Sequence, residues 1–296
     1  MNTWKTLHGL LALGAIFVAT TSVKLLRRDD SRLGTYNYDV AVATTLYGDN
    51  CRAGREDLEN VKLNSLLIFQ ELQTNLLVVT RTADASLLKD SLVSFPVEII
   101  SYDEGVLREC EDGGDLVHLG KFCTRVVLFR ALQDLAKPLL YFESDVLILD
   151  GTFLQLRKLG TMSQFAATPA YILGNTREAN RYINVTHDQF NVGIFTVSHP
   201  QLFFAEEFFQ HMAKCKTINF AGFNDMHGGT LEQVCMSIYV HLYVKQTMWM
   251  PQGWQCRGYL FHGVAHGNLD NCFAYHHHNN KFARDYVRRK FNYRLV

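Results

Sequence analysis

The sequence predicts an α/β domain, a single mixed and mostly parallel sheet flanked by helices, behind an N-terminal membrane anchor. Three observations support this fold class: strands alternate with helical segments, the strands are mostly apolar, and an uncharged stretch lies near the N-terminus. Continuously apolar strands are typical of parallel sheets, because helices cover both faces. The 296 residues are 48% hydrophobic and 20% charged, which is enough apolar material for a sizeable core.

The charge of the chain does not indicate a charged partner. Lysine and arginine together number 29, and so do aspartate and glutamate. No nucleic-acid partner is therefore expected. The absence of a P-loop and of a Gly-x-Gly-x-x-Gly loop argues against a kinase or a dehydrogenase. No serine or cysteine stands in a nucleophile-elbow pattern, which argues against a hydrolase.

The N-terminal segment differs from the rest of the chain. Residues 6–23 carry no formal charge, and basic residues flank them on both sides. About 18 to 20 apolar residues can span a bilayer, so residues 1–30 are interpreted as a signal anchor with a short stem, followed by one folded domain over 31–296. A cleaved signal peptide and a buried helix remain alternatives, and the flanking charges do not decide the orientation.

Periodicity places the elements of the domain in order. Apolar and β-branched runs between turn residues predict strands, and apolar residues at helical spacing predict helices. In the first half, we expect strands at 38–48, 75–80, 97–103 and 138–149, and helices at 55–73 and 121–136. In the second half, we expect strands at 164–171 and 189–198, and helices near 200–214 and 230–243. Ligands of such sheets bind beyond the carboxyl ends of the strands.

Two carboxylates interrupt the apolar strand predicted at 138–149. Glu143 and Asp145 are two residues apart, so on a strand their side chains point to the same side. Neighbouring carboxylates in an apolar setting resist ionisation unless a cation lies between them. Mn²⁺ or Mg²⁺ fits this requirement, since both prefer hard oxygen ligands. The alternative is structural: one carboxylate exposed at a strand end and the other capping a helix.

Several blocks of the sequence occur in an order that resembles one enzyme family. They are "VATTLYGDNCRAG" (42–54), "GKFCTRVVLFRAL" (120–132), "YFESDVLIL" (141–149), "FNVGIFTV" (190–197), "GGTLEQVCMSIYV" (228–240), "MWMPQGWQCRG" (248–258) and "YHHHNNKFARDY" (275–286). The third block resembles the Asp-x-Asp strand of glycosyltransferases with the A-type nucleotide-diphospho-sugar transferase fold, which is Rossmann-like. The order of the blocks is similar to the glycogenin-like retaining family. The sixth block resembles its "LP-x-x-(Y/F)-N" segment.

The resemblance implies a metal-dependent transfer of a sugar from a nucleotide diphosphate donor, a UDP-sugar, to a hydroxyl acceptor with retention. The acceptor is a glycan, a protein or a lipid. The implied metal ligands for Mn²⁺ or Mg²⁺ are Glu143, Asp145 and His276. The implied nucleotide-binding residues are Thr45, Leu46, Tyr47, Lys121 and Lys281. The implied catalytic residues, which face the sugar, are Asn191, Glu232 and Gln233. The location implied is the Golgi or ER membrane, as a single-pass type II protein with a lumenal catalytic domain, or secretion if the signal is cleaved.

Departures from the family pattern keep other functions open. Glu143 replaces the first Asp of the metal motif, Val192 replaces the Ser of Phe-Asn-Ser-Gly, and Glu232 replaces the Asp before Gln233. The tail also lacks the Gly and the Pro-Trp of the family's His-Gly-Lys-Pro-Trp segment. A non-catalytic nucleotide-sugar or glycan-binding protein is the main alternative, and a nucleotidyltransferase is a third one. Asn191 and Glu232 could also be structural, at a strand edge and in the first turns of a helix.

Cysteines and a glycosylation sequon bear on the compartment. The seven cysteines contain no Cys-x-x-Cys pair, so no zinc site is expected. In an oxidising compartment some would pair, an odd number would leave at least one free, and the pairing cannot be read from the sequence. Asn184-Val185-Thr186 is a single sequon, consistent with a lumenal domain.

Overall fold

The computed structural model of the chain describes residues 40–103, 105, 123–151, 154, 163–170, 189–204, 206–216, 228–250, 254–257, 269, 272–276 and 281–291. The predicted anchor at 6–23, Lys121 and the sequon at 184–186 lie outside these residues. Within the described ranges, no helix has both the length and the apolar character that a membrane crossing needs.

Strands and helices alternate in the first half, as the sequence predicts, and one further helix was not predicted. The strands are β1 (Ala41–Thr45), β2 (Leu76–Arg81), β3 (Val97–Tyr102) and β4 (Leu139–Phe142). The helices are α1 (Glu56–Leu72), α2 (Thr82–Leu92) and α3 (Thr124–Ala131). A short 3₁₀ turn, Gly48–Cys51, follows β1.

The second half adds six strands and four helices among the described residues. The strands are β5 (Val146–Ile148), β6 (Phe165–Pro169), β7 (Phe190–Val197), β8 (Thr247–Trp249), β9 (Cys256–Arg257) and β10 (Ala274–His276). The helices are α4 (Gln201–Phe204), α5 (Glu206–Lys216), α6 (Gly228–Tyr243) and α7 (Lys281–Phe291).

Within the described residues, seven strands form one sheet in the order β3-β2-β1-β4-β7-β6-β8. Neighbours in β1, β2, β3 and β4 run parallel, β8 runs parallel to β6, and only β7 is antiparallel to its neighbours β4 and β6. The mixed, mostly parallel sheet is therefore confirmed. The prediction of a single sheet is wrong, because β5, β10 and β9 form a second, three-stranded sheet.

The predicted strand at 138–149 is two strands, and the break falls at the carboxylates. Strand β4 ends at Phe142, and the Val146 N–H donates to the Glu143 carbonyl at 3.0 Å, which closes a turn. Strand β5 then pairs with β10 rather than continuing the large sheet. The turn is possible because polar groups outside the sheet satisfy its backbone. Side-chain alternation therefore does not explain why the two carboxylates are neighbours.

Two buried asparagines on α1 hold this turn. Asn60 Nδ2 donates to the Ser144 carbonyl at 3.2 Å, and Asn64 Nδ2 donates to the Val146 carbonyl at 2.9 Å. Asn64 Oδ1 also accepts from the Ile148 N–H at 2.9 Å. Both asparagines are at most 1% exposed. Helix α1 thus fixes the path of the chain on both sides of Asp145.

We expect Asn64→Ala to lower the free energy of unfolding by about 2–4 kcal/mol, because two buried backbone groups lose their partner. Urea denaturation at neutral pH measures this change. The matched control is Gln70→Ala on the exposed side of the same helix, which we expect to change stability by less than about 0.5 kcal/mol. Equal stability of Asn64→Ala and the wild type would contradict the role of Asn64.

Disulfides tie the C-terminal elements together. Cys215–Cys235 joins α5 to α6, and Cys256–Cys272 joins β9 to the segment before β10. Cys123 is also disulfide-bonded. Among the described residues the free cysteine is Cys51, which is buried, so the prediction of at least one free cysteine is confirmed.

Candidate functional site

The site lies where the order of the parallel strands reverses. From β1 the chain proceeds outward to β2 and β3, and it returns to pair β4 with the other side of β1. In such sheets the loops after the two central strands diverge and leave a crevice at the carboxyl edge. The loop after β1 begins at Leu46, and the loop after β4 carries Glu143 and Asp145.

A cavity of about 600 Å³ fills this crevice. Its volume is in the range of small-molecule and cofactor sites. Its lining combines the two loops with the first turns of α1 and α3, and consists of Thr45, Tyr47, Asn50, Arg55, Glu56, Asp57, Thr124, Glu143, Ser144 and Asp145. Polar and charged groups predominate in this lining, which suits a polar ligand.

Glu143, Asp145 and His276 converge beside the cavity, and we name them the Glu-Asp-His cluster. His276 Nε2 lies 3.1 Å from Glu143 Oε2 and 3.2 Å from Asp145 Oδ1. Strand β10 brings the histidine here by pairing with β5, where His276 is opposite Val146. One ligand atom from each residue lies within 4.8 Å of the others. This arrangement could hold a divalent cation.

Gly193 packs directly against the cluster, which leaves no room for a side chain at this position. A Cβ at this position would lie 2.6 Å from His276 Cε1 and 2.7 Å from Glu143 Oε2, closer than side chains pack. The Gly193 carbonyl also accepts from the Glu143 N–H at 2.9 Å. The "FNVG" segment therefore needs glycine because the cluster approaches its backbone closely.

We expect Gly193→Ala to lower the affinity for Mn²⁺ about 10–100-fold, because the new Cβ displaces His276 and Glu143. Titration of Mn²⁺ by electron paramagnetic resonance measures the affinity. Circular dichroism of the metal-free variant shows whether the fold is kept. A folded variant with wild-type Mn²⁺ affinity would contradict the close approach.

Arg125 connects two of the predicted site residues. It is 2% exposed, and Glu232 is fully buried. The Arg125 backbone N–H donates to Glu232 Oε1 at 2.5 Å, and Nη1 donates to Glu232 Oε2 at 2.6 Å. Nη2 donates to Glu143 Oε1 and to the Val192 carbonyl, the latter at 3.1 Å. The guanidinium thus bridges the loop after β4, strand β7 and helix α6.

The pKa values of the two carboxyls differ because they share one guanidinium. Burial favours the neutral form of both groups. At Glu143, Arg125 and His276 outweigh burial and hold the pKa well below its usual range. At Glu232, burial prevails over Arg125 and raises the pKa to about 8. Glu143 is therefore an anion at neutral pH, whereas Glu232 titrates slightly above neutral pH.

The sequence pattern did not single out Arg125. The prediction named Lys121, four residues earlier on the same predicted helix, and Lys121 lies outside the described residues. The available signal was an arginine inside the apolar run "TRVVLF" (124–129). A charged residue in such a run is buried and requires a partner of opposite charge.

Asn191 reaches the cluster through a second residue that the sequence did not single out. Asn191 Oδ1 accepts from Gln255 Nε2 at 3.2 Å and from the Gly193 N–H at 2.9 Å. Gln255 Nε2 also contacts His276 Nδ1. Gln255 stands where the "LP-x-x-(Y/F)-N" segment has its asparagine, which was the available signal. Gln233, next to Glu232 on α6, is 6% exposed.

The residues predicted to bind the nucleotide differ in their surroundings: some line the cavity, one is in the core and one is exposed to solvent. Thr45 and Tyr47 line the cavity, and the Tyr47 hydroxyl bonds Thr124 Oγ1 at 3.0 Å. The Leu46 side chain is 1% exposed and belongs to the core. Lys281 begins α7 with its side chain 80% exposed, and it pairs with Asp285 at 3.4 Å. Its role at the nucleotide stays a prediction.

Comparison with known proteins identifies the fold. No protein-family profile and no curated protein sequence matches the chain. Among solved structures, the galactosyltransferase LgtC, in complex with donor and acceptor sugar analogs, is similar at a TM-score of 0.54 and 11% identity, covering 85% of this chain and 95% of that one. The bifunctional glycosyltransferase WbbM is similar at 0.56 and 10% identity, over 83% of this chain and 47% of that one. Mouse xyloside xylosyltransferase 1 is similar at 0.50 and 12% identity, over 81% and 98%. The chain therefore has the nucleotide-diphospho-sugar transferase fold of A-type glycosyltransferases.

Proposed function

We propose that this protein, which has the A-type glycosyltransferase fold, transfers a sugar from a nucleotide diphosphate donor to a hydroxyl group with the help of a divalent cation. The observation that carries the proposal is the cavity at the strand-order reversal, where the Glu-Asp-His cluster faces the loop at Thr45 and Tyr47. A nucleoside diphosphate needs room of this order, a polar lining and a cation close to its phosphates. The donor proposed is a UDP-sugar, and retention of configuration follows only from the family resemblance.

The charges of the site fit a divalent cation. The guanidinium of Arg125 pairs with the carboxyls of Glu143 and Glu232, whereas the carboxylate of Asp145 contacts His276. The excess of carboxylates favours a cation between Glu143 and Asp145. Two carboxylates and one imidazole suit Mn²⁺ better than Mg²⁺, which prefers oxygen ligands alone. When bound, the cation would compensate the charge that develops on the leaving diphosphate.

The residues of the chain bind and orient the donor. Thr45 and Tyr47 border the nucleotide side of the cavity, and Lys121 and Lys281 are proposed to pair with the diphosphate. Asn191, Glu232 and Gln233 are proposed to face the sugar, where hydrogen bonds to its hydroxyls hold the anomeric carbon towards the acceptor. Arg125 fixes Glu143 and Glu232 relative to each other through its hydrogen bonds.

The compartment proposed is the lumen of the Golgi or the ER. The disulfides Cys215–Cys235 and Cys256–Cys272 support it, because disulfides persist in oxidising compartments. The acceptor proposed is a glycan, a protein or a lipid of that compartment. Attachment to the membrane through residues 6–23 stays a prediction from the sequence.

The test is turnover of a donor panel. Purified protein is incubated with nucleotide sugars in Mn²⁺ or in chelator, with candidate acceptors added in parallel, and the release of nucleoside diphosphate is measured. We expect release from one donor, dependent on Mn²⁺. No release from any donor, combined with no binding of nucleoside diphosphate in the presence of Mn²⁺, would overturn the proposal.

A non-catalytic nucleotide-sugar-binding protein is the second candidate. It is favoured by the contact of Arg125 with Glu143, which occupies one carboxylate oxygen of the cluster. In that case, tight Mn²⁺-dependent binding of a nucleotide sugar would occur without release of its sugar, with or without an acceptor.

A further inference from the structure

Gln255 lies behind the Glu-Asp-His cluster and contacts the far nitrogen of its imidazole. It is 3% exposed. Its amide nitrogen donates to His276 Nδ1 and, at 3.2 Å, to Asn191 Oδ1. Its amide oxygen accepts from Thr168 Oγ1 at 2.5 Å. Both amide hydrogens and the oxygen are therefore in use in this orientation of the side chain.

With the Gln255 amide in this orientation, a neutral His276 carries its proton on the nitrogen that does not contact Gln255. A neutral imidazole has one donor nitrogen and one acceptor nitrogen. Because Gln255 donates to Nδ1, the proton lies on Nε2, which faces Glu143 Oε2 at 3.1 Å and Asp145 Oδ1 at 3.2 Å. A cation can bind Nε2 only through a lone pair. The proton must then lie on Nδ1, and Nδ1 requires an oxygen as its partner.

We propose that Gln255 is a positioning residue that admits a cation to His276 by rotating its amide through about 180°. This inference rests on the proposed function, since it concerns the same cation. After the rotation the Gln255 oxygen accepts from Nδ1, and its nitrogen donates to Thr168 Oγ1. The threonine hydroxyl permits this exchange because it can both donate and accept. An oxygen behind a ligating histidine holds the ring and raises its affinity for a metal.

The rotation also changes the hydrogen bonding of Asn191. In the structure, Asn191 Oδ1 lies 3.2 Å from the Gln255 nitrogen. After the rotation, the Gln255 oxygen takes the place of that nitrogen and faces Asn191 Oδ1. Two acceptors at such a distance repel each other. The repulsion is relieved when Asn191 rotates its own amide so that its nitrogen donates to the Gln255 oxygen. Asn191 Oδ1 then loses the hydrogen bond that it accepts from the Gly193 N–H at 2.9 Å in the structure. Binding of the cation and the orientation of the sugar-facing amide are coupled in this way.

Two substitutions at position 255 distinguish the effect of the amide oxygen from the effect of side-chain volume. Gln255→Leu removes both the amide nitrogen and the amide oxygen that can contact His276 Nδ1, and we expect it to weaken Mn²⁺ binding about 10–100-fold. Gln255→Glu offers an oxygen in either rotamer, so we expect Mn²⁺ binding at least as tight as in the wild type. Mn²⁺ is titrated by electron paramagnetic resonance on the purified full chain without nucleotide.

The matched control is Ser237→Ala. Ser237 is 1% exposed, and its hydroxyl bonds the backbone of Phe190 on β7. It is therefore a buried polar residue packed against the same strand as Asn191. We expect wild-type Mn²⁺ affinity from this variant. An equal loss of affinity in Ser237→Ala and Gln255→Leu would mean that any buried polar substitution disturbs the site, and it would overturn the role of Gln255.

A second measurement needs no variant at position 255. In protein labelled with ¹⁵N at histidine, the ring shifts of His276 report the tautomer, and the His276→Gln variant assigns the signal. We expect the Nε2–H tautomer without metal, and the Nδ1–H tautomer with Zn²⁺, a diamagnetic ion that binds imidazole. Persistence of the Nε2–H tautomer in the Zn²⁺-saturated protein would overturn the inference.

The two proposals fail in distinguishable ways. Mn²⁺ binding that is lost in Asp145→Asn but unchanged in both Gln255 variants would overturn the inference and leave the proposed function intact. Absence of Mn²⁺ binding in the wild type would remove the metal site from the proposed function, and the inference with it.

Discussion

Arg125→Met is expected to lower the free energy of unfolding by about 3–5 kcal/mol, because it leaves the Glu143 anion without its counter-charge and the buried Glu232 without its side-chain donor. Glu232 has no exposed surface and receives two hydrogen bonds from Arg125. The backbone bond survives the substitution, whereas the bond from the side chain does not. Urea denaturation followed by circular dichroism at pH 7 measures the loss.

Two further variants show whether the buried charge is the cause. Adding Glu232→Gln to Arg125→Met removes the second carboxyl beside the unpaired Glu143, so we expect the double variant to recover part of the lost stability. Arg52→Met breaks an ion pair with Asp49 whose side chains are 72% and 63% exposed, and we expect a change below about 1 kcal/mol. A double variant that is less stable than Arg125→Met would contradict the explanation.

Asp145→Asn is expected to reduce metal-dependent release of nucleoside diphosphate about 10³-fold, which corresponds to about 4 kcal/mol of transition-state stabilisation. The change keeps the shape of the side chain and removes one of the two carboxylates closest to His276. Because an amide of the same shape replaces the carboxylate, we expect the thermal midpoint without metal to remain within a few degrees of the wild type. Steady-state turnover of the donor found in the panel, at saturating Mn²⁺, measures the effect.

The matched control is Asp150→Asn, five residues further along the chain. Asp150 pairs with Lys290 at 2.6 Å, and both side chains are 34% exposed. It does not belong to the Glu-Asp-His cluster or to the residues that line the cavity. We expect wild-type turnover from this variant. Equal turnover of Asp145→Asn and Asp150→Asn would contradict a role for Asp145 in the reaction.

Sequence patterns predicted most of the longer strands and helices in order, because each buried strand of a parallel sheet is a separate apolar run. They did not predict α2, α7 or the short strands β8, β9 and β10. The runs at 38–48 and 97–103 contain β1 and β3, and the run at 75–80 contains β2 except for Arg81. The pattern failed at 138–149, where both halves are apolar and only the polar residues between them mark the turn. The turn depends on Asn60 and Asn64, which are distant in sequence, and periodicity does not reveal such partners.

The site was predicted only in part, for a similar reason. Glu143, Asp145 and His276 do come together, although the first two are joined by a turn and not by strand alternation. Arg125 and Gln255 were missed because their roles come from contacts with residues 18 to 107 positions away. Such contacts depend on the three-dimensional path of the chain, whereas motif spacing records only neighbours in sequence.

The most direct measurement is anomalous diffraction from crystals of the protein grown with Mn²⁺ and a nucleoside diphosphate. The expected result is a manganese peak bounded by Asp145, His276 and Glu143, with the diphosphate in the cavity between this peak and the loop at Thr45 and Tyr47. A nucleotide bound elsewhere on the protein, or a manganese peak away from all three residues, would contradict the assignment of the Glu-Asp-His cluster as the metal site.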